Sequence, residues 1–256
     1  MSQDALTRAR WDQLWAESQT VYDPSAEPQL HDALALITRF WPQMSGRFLE
    51  AGCGPAAIAL NLALRGVGVA GVDVSANALR AASDAFGHRG LAGEFVPGDV
   101  RRIPFPSGTF DFVYAGGVVE HFLETDGAIG EMRRVLRPGG RLLITVPALT
   151  LSYPYLFLRG NVPALPGIET AVAWVHFRLL RGRFASFGYE RSFRRAHVRR
   201  LLSAAGLHDV AVGRFDTHLP LLQLPRPLRR QARKLARTDA FAPMYYATGV
   251  VARAAP

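Results

Sequence analysis

The chain has 256 residues, 49% of them hydrophobic and 20% charged, which fits one large globular domain or one domain with an inserted cap. Its single cysteine excludes an internal disulfide framework, and the lack of any uninterrupted apolar run of about eighteen residues speaks against a spanning helix. The net charge of +9 is uneven: from His176 to Arg237, fifteen Lys or Arg stand against Glu190, Asp209 and Asp216, a balance that suits either anionic partners or a solvated arginine-rich surface.

In chain order, the N-terminal "MSQDALTRARWDQLW" lacks the apolar stretch of a signal peptide, so a cytoplasmic protein is expected. "RFLEA" reads as a first strand and ends in a glycine turn. "AAIALNLALRG" is a helix closed by Gly66, and "VGVAGVDV" is a second buried strand. "SANALRAASDAFG" is a helix with Ser75 as N-cap and Gly87 as stop. "GEFVPGDV", "FDFVYAGG" and "RLLITVP" supply three more strands. The helix "AIGEMRRVLRPGG" separates the last two and is expected to end at Pro138-Gly139-Gly140.

Strands alternating with helices predict a parallel sheet covered on both faces. The alternation breaks after Pro147, where prolines 154, 163 and 166 precede the aromatic run "ETAVAWVHFRLLRG"; this reads as an inserted cap. It resumes with the helix "RRAHVRRLLSAAG", the strand "LHDVAVGRF" and a final strand, "YYATGVVARA".

The chemistry concentrates around "LEAGCGPAAIAL", where Gly52 and Gly54 let the backbone pass close to a nucleotide. The spacing Gly52-x-Gly54-x-x-Ala57 also fits nicotinamide enzymes. Glu50 opens the turn, however, and a carboxylate there suits a ligand with a cationic end better than an approaching pyrophosphate. Asp73, at the tip of the second strand, is placed to accept hydrogen bonds from ribose hydroxyls, a feature common to nicotinamide and adenosyl ligands.

Together with "GVDVS", "GEFVPGDVRRIPFPSGTFDFVYAGGVVEHF" and "EMRRVLRPGGRLLITVP", the turn resembles the class I S-adenosylmethionine-dependent methyltransferases, of the small-molecule type related to quinone and sterol methylating enzymes. The resemblance covers residues 47–147 closely and "GYERSFRRAHVRRLLSAAG" more loosely. It implies a Rossmann-like α/β fold, with a seven-stranded, mostly parallel sheet whose last strand is antiparallel. Residues 1–45 would close over the cofactor, 46–147 would bind S-adenosyl-L-methionine, 148–188 would form the cap, and 189–256 would complete the sheet.

Residue by residue, the resemblance puts Glu50, Gly52 and Gly54 at the methionine end of the cofactor. It puts Asp73 on the ribose, Val74 on the adenine face, Asp99 on the adenine amino group and the Val100 amide on a ring nitrogen. Ala115 and Gly116 would lie beside the sulfonium, and Tyr22 in the N-terminal helix is a further candidate contact. Ala56 replaces a glycine frequent in the family, behind Pro55; alanine is small enough, and proline suits a first helical turn. Some quinone-pathway relatives hold a metal through E-x-x-E-H. Here Gly117 takes the first position and leaves Glu120 and His121, so no metal is expected.

His121 stands where relatives place substrate or a proton acceptor: it is a candidate general base, or a side chain that fixes the turn with Glu120. Cys53 reads as a filler between glycines, and His88, His176, His197, His208 and His218 as surface or packing residues. In "FGYERSF", Tyr189, Glu190 and Arg191 face substrate, or Glu190 and Arg191 pin the cap to the domain. Phe157, Trp174, Phe177 and Phe184 either roof an apolar pocket or form core. The stretch Arg226–Arg237 is a solvated basic helix or a peripheral contact with an anionic membrane.

The expected activity is methyl transfer to a small or lipidic metabolite, onto oxygen as the first choice. An RNA methyltransferase and a non-catalytic cofactor-binding protein are the alternatives, but no N-P-P-Y-type base-flipping motif supports nucleic acid.

Overall fold

Among the described residues, nine apolar or alternating segments form strands: β1 (Arg47–Ala51), β2 (Gly68–Asp73), β3 (Glu94–Pro97), β4 (Phe110–Gly116), β5 (Leu136–Pro147), β6 (Asn161–Pro163), β7 (Glu190–Ser192), β8 (Leu207–Phe215) and β9 (Met244–Val251). The computed structural model describes residues 11–13, 15, 28–158, 160–180, 188–215, 230–231, 234–235 and 237–253. Seven of the strands make one sheet in the order β3-β2-β1-β4-β5-β9-β8, with β9 antiparallel to both of its neighbours. This is the expected Rossmann-like α/β sheet.

The helices are α1 (Pro28–Phe40), α2 (Ala57–Ala63), α3 (Ala76–Gly87), α4 (Thr125–Val135), α5 (Tyr153–Phe157), α6 (Ile168–Trp174) and α7 (Arg195–Ala204). Side chains alternate across β1 and β4, so each strand feeds two cores. Phe48 and Phe112 join Ile37 of α1, Leu60 of α2 and Ala82 of α3 on one face. Leu49 and Val113 join Met132 of α4 and Leu202 of α7 on the other. Trp41 lies over Phe112 at 5.3 Å between ring centroids, nearly parallel to it.

Two local readings change, and the sheet adds an irregularity. The helix α4 ends at Val135, and "LRPGG" belongs to β5, because the residue before a proline is pushed out of the helical region. The pairing of β4 with β5 shifts between Phe110 and Phe112, which sends those two rings to opposite cores. The aromatic run of the cap is α6 followed by a π-helical turn over Val175–Leu179. The cap also contributes β6, which pairs in parallel with β7 outside the main sheet. No helix among the described residues is long and apolar enough to cross a membrane.

Candidate functional site

The chain leaves β1 toward β2 and β3 but leaves β4 toward β5, so the connections after these paired neighbours run to opposite sides. Open α/β sheets take ligands in the crevice created there. Gly52 and Gly54 form its floor with φ of 70° and 50°, a region that favours glycine. The Gly52 and Cys53 amides donate to the Val72 carbonyl at 2.8 and 3.1 Å, tying the turn to β2. A Cβ on Gly52 would come within 2.5 Å of Val118 Cγ2, so side chains are excluded on two grounds. Ala56 also sits at positive φ, 58°, before α2. The replaced glycine is therefore not a matter of size alone: alanine there carries a left-handed strain of about 1–2 kcal/mol.

Two buried carboxylates frame this turn. Glu50 Oε2 accepts from the Ala59 amide in the first turn of α2 at 2.8 Å. Asp73 accepts from the Gly54 amide through Oδ2 and from the Ser75 amide through Oδ1, each at 2.8 Å. Burial raises the Asp73 carboxyl above its ordinary value, and those amides partly offset the rise. Burial first, then the charges of Glu50 and Asp73, also push the Cys53 thiol up. The thiol thus stays protonated, as a filler should, and the two carboxylates that add to the rise favour positive charge in the crevice.

Other expected cofactor residues lie along the same edge. Val74 is half-buried, Val100 and Ala115 are buried, and Gly116 ends β4. Asp99 is gripped by Arg101, whose Nη2 donates to Oδ2 at 2.7 Å. Trp11, Asp12 and Trp15 lie across the mouth. A Cβ on Gly54 would sit 2.9 Å from Trp15 Cζ2, and the Ser75 hydroxyl donates to Asp12 at 2.7 Å. The Trp11 ring meets that of His121 edge-on at 5.4 Å. Tyr22 lies outside the described residues.

Opposite the glycine turn, a 3-10 turn over Val119–His121 follows β4. His121 Nδ1 is 2.8 Å from the Tyr189 carbonyl. A carbonyl only accepts, so Nδ1 carries the proton and Nε2 keeps its lone pair. Glu120 is 1% exposed and its Oε2 has no hydrogen-bond partner among the described residues. Burial, and secondarily the Glu190 charge, drive its carboxyl well above the usual range. Glu190 accepts from Asn161 Nδ2 at 2.9 Å, and its carboxylate comes to within 4.8 Å of ligand atoms of Glu120 and His121. The expectation of no metal rested on two available ligands; the structure supplies a third from β7. No local signal in the sequence pointed to this role, because Glu190 reaches the turn only through the docking of the cap.

Its neighbour Arg191 is occupied within the protein. The guanidinium pairs with Glu169 of α6 and donates to the Leu123 carbonyl and Thr125 Oγ1 at 3.1 and 3.0 Å. The Tyr189 hydroxyl donates to the same Glu169. Of the aromatic cap residues, Phe157 packs on His176 at 4.6 Å, whereas Trp174 and Phe177 are exposed. Phe184 is outside the described residues, as is most of the Arg226–Arg237 stretch; its described members are exposed.

A Rossmann-like sheet with a glycine crevice between two buried carboxylates is the architecture of a class I methyltransferase, the kind that uses S-adenosylmethionine. Residues 49–144 match the family model described as a methyltransferase domain. It is 34% identical over 127 residues to the malonyl-[acyl-carrier protein] O-methyltransferase of Enterobacter lignolyticus, covering 50% of this chain and 49% of that protein. It is 37% identical over 120 residues to a ubiquinone/menaquinone biosynthesis C-methyltransferase of Pseudomonas putida, covering 43% and 46%.

The chain thus spans about half the length of the curated relatives it matches. The fold is similar to that of Haemonchus contortus phosphoethanolamine N-methyltransferase 2, solved with S-adenosyl-L-methionine. That match has a TM-score of 0.60 and 19% identity, and covers 87% of this chain and 53% of that one. The residues present fit this cofactor: the floor excludes side chains, and the buried carboxylates beside it favour a ligand that combines a ribose with positive charge.

Proposed function

We propose that this chain moves the methyl group of S-adenosylmethionine onto an oxygen of a small or lipid-linked metabolite. The observation that carries the reading is the pair Glu50 and Asp73, buried on either side of the Gly52–Gly54 floor. The cofactor, when bound, supplies a methyl group already activated on a sulfonium. Glu50, Gly52 and Gly54 would hold its methionine end, Asp73 and Val74 its ribose and adenine, and Asp99 and Val100 the adenine edge. Ala115 and Gly116 would border the reacting centre.

What remains for the protein is orientation. Holding acceptor and donor in line in a dry crevice contributes about 7–11 kcal/mol at best. His121, with Nδ1 fixed on the Tyr189 carbonyl, would present Nε2 as the base that a hydroxyl acceptor needs to lose its proton, whereas a carboxylate acceptor arrives already ionised. The similarity to a malonyl-[acyl-carrier protein] O-methyltransferase supports oxygen as the acceptor atom. Of the two roles the sequence left open for Arg191, the pairing with Glu169 supports the tether that holds the cap over this acceptor side, and the Tyr189 hydroxyl joins it on the same carboxylate.

Thermal unfolding with S-adenosylhomocysteine tests the cofactor assignment. The wild-type melting temperature is expected to rise, by mass action on the folded state, and Asp73→Ala is expected to abolish the rise. An unchanged wild-type melting temperature at millimolar ligand overturns the reading.

A further inference from the structure

We infer that Glu120, His121 and Glu190 form a site for a hard divalent cation, Mg2+ or Mn2+, completed by the docking of the cap strand β7 on the turn after β4. Three observations converge. Ligand atoms of the three side chains lie within 4.8 Å of one another. Octahedral ligands about 2.0–2.1 Å from a small cation stand about 3–4 Å apart, so modest rotamer adjustments close the gap. Next, Glu120 is 1% exposed, and its Oε2 has no hydrogen-bond partner among the described residues although it lies beside a second carboxylate. A buried acceptor in that state is costly unless something positive meets it.

The third observation is that the surrounding groups orient these side chains as ligands. The Tyr189 carbonyl takes the proton of His121 Nδ1 and leaves Nε2 to coordinate, an arrangement that metal-ligating histidines commonly have. Asn161 Nδ2 donates to Glu190 Oε2 and fixes that carboxylate. The adjacent cation, Arg191, is turned to Glu169. Two carboxylates and one imidazole form a mainly oxygen-donor set suited to Mn2+ or Mg2+, with positions left for an acceptor.

The catalytic part of the inference rests on the oxygen-methylation reading; the binding part does not. A cation here would coordinate the acceptor oxygen and make its proton more acidic, and that proton would pass to solvent. In the cation-loaded site Nε2 would serve as a ligand, so the proton-accepting role proposed for it belongs to the metal-free site.

The test uses the full chain freed of metal with a chelator and titrated with Mn2+, bound ion being counted from the loss of the free-ion electron paramagnetic resonance signal. One Mn2+ per chain is expected, displaced by excess Mg2+. Glu120→Gln and Glu190→Gln are each expected to weaken binding by about tenfold or more, since each removes a charged ligand. Both variants should keep the metal-free fold, checked by circular dichroism, and the melting rise with S-adenosylhomocysteine. Asp73→Ala should lose that rise and keep Mn2+ binding, which separates failure of the cation site from failure of the cofactor reading. Absence of stoichiometric Mn2+ in the wild type, or Glu120→Gln and Glu190→Gln binding as the wild type does, overturns the inference.

Discussion

Glu120 shows how one buried carboxyl couples the turn to pH. Burial raises its folded-state pKa well above the ordinary 4.5, with Glu190 adding to the rise. Stability from this group is therefore fully present below pH 4.5 and is lost as pH climbs through the folded value. Glu120→Gln removes that loss. In metal-free protein its melting temperature should match the wild type near pH 4.5 and exceed it as pH rises above that, levelling off once pH passes the folded value. In a chain of this size about 2–4 °C corresponds to each kcal/mol. Parallel melting curves across that range would refute the prediction. Glu120 and His121 could be singled out from sequence because they follow β4 directly. Their chemistry was not legible there, since the proton on Nδ1 and the burial of the carboxyl depend on Tyr189 and Glu190, brought in by the cap.

Among elements, the cap is the one held by polar anchors. Arg191 on β7 joins Glu169 of α6 to the backbone and Thr125 at the start of α4, with side-chain exposures of 11% and 14% for the ion pair. Arg191→Ala leaves half-buried Glu169 with only the Tyr189 hydroxyl as partner, which costs on the order of 1–3 kcal/mol. Denaturant unfolding should show that loss, with amide exchange rising first in α6 and β7; unchanged exchange there would refute the tether. Arg191→Lys should recover only part of it, because an ammonium cannot reproduce the guanidinium fork. Longer elements were legible: β8 matches "LHDVAVGRF" residue for residue, and Ser75 caps α3 by accepting from the Ala78 amide. The three-residue strands β6 and β7 were not, being too short to carry a period.

For the whole molecule, the sheet divides the interior into two cores, and position between them sets the cost of substitution. Phe112 is fully buried between Trp41 and Phe48, so Phe112→Ala should cost about 3–5 kcal/mol in urea unfolding. Trp174, 58% exposed on the cap, belongs to neither core. Trp174→Ala should change global stability by less than about 0.5 kcal/mol. A comparable loss for both would contradict the two-core architecture. The aromatic spacing in the cap read more readily as core than as roof, yet Trp174 stays exposed, because helical periodicity does not show whether a second layer covers the stripe.

By itself the sequence determined the strand–helix alternation, the glycine floor and the acidic residues at the strand tips. These are local consequences of residue type and spacing, and they pointed to the methyltransferase class. Tertiary structure alone decided which distant groups meet: the left-handed φ at Ala56, Arg191 turned to Glu169, and Glu190 turned to Glu120 and His121. The reason is physical. Periodicity records which side chains leave water, whereas the partner a buried polar group finds depends on how the cap docks against the sheet. Such partners lie tens of residues apart, and no local pattern encodes them.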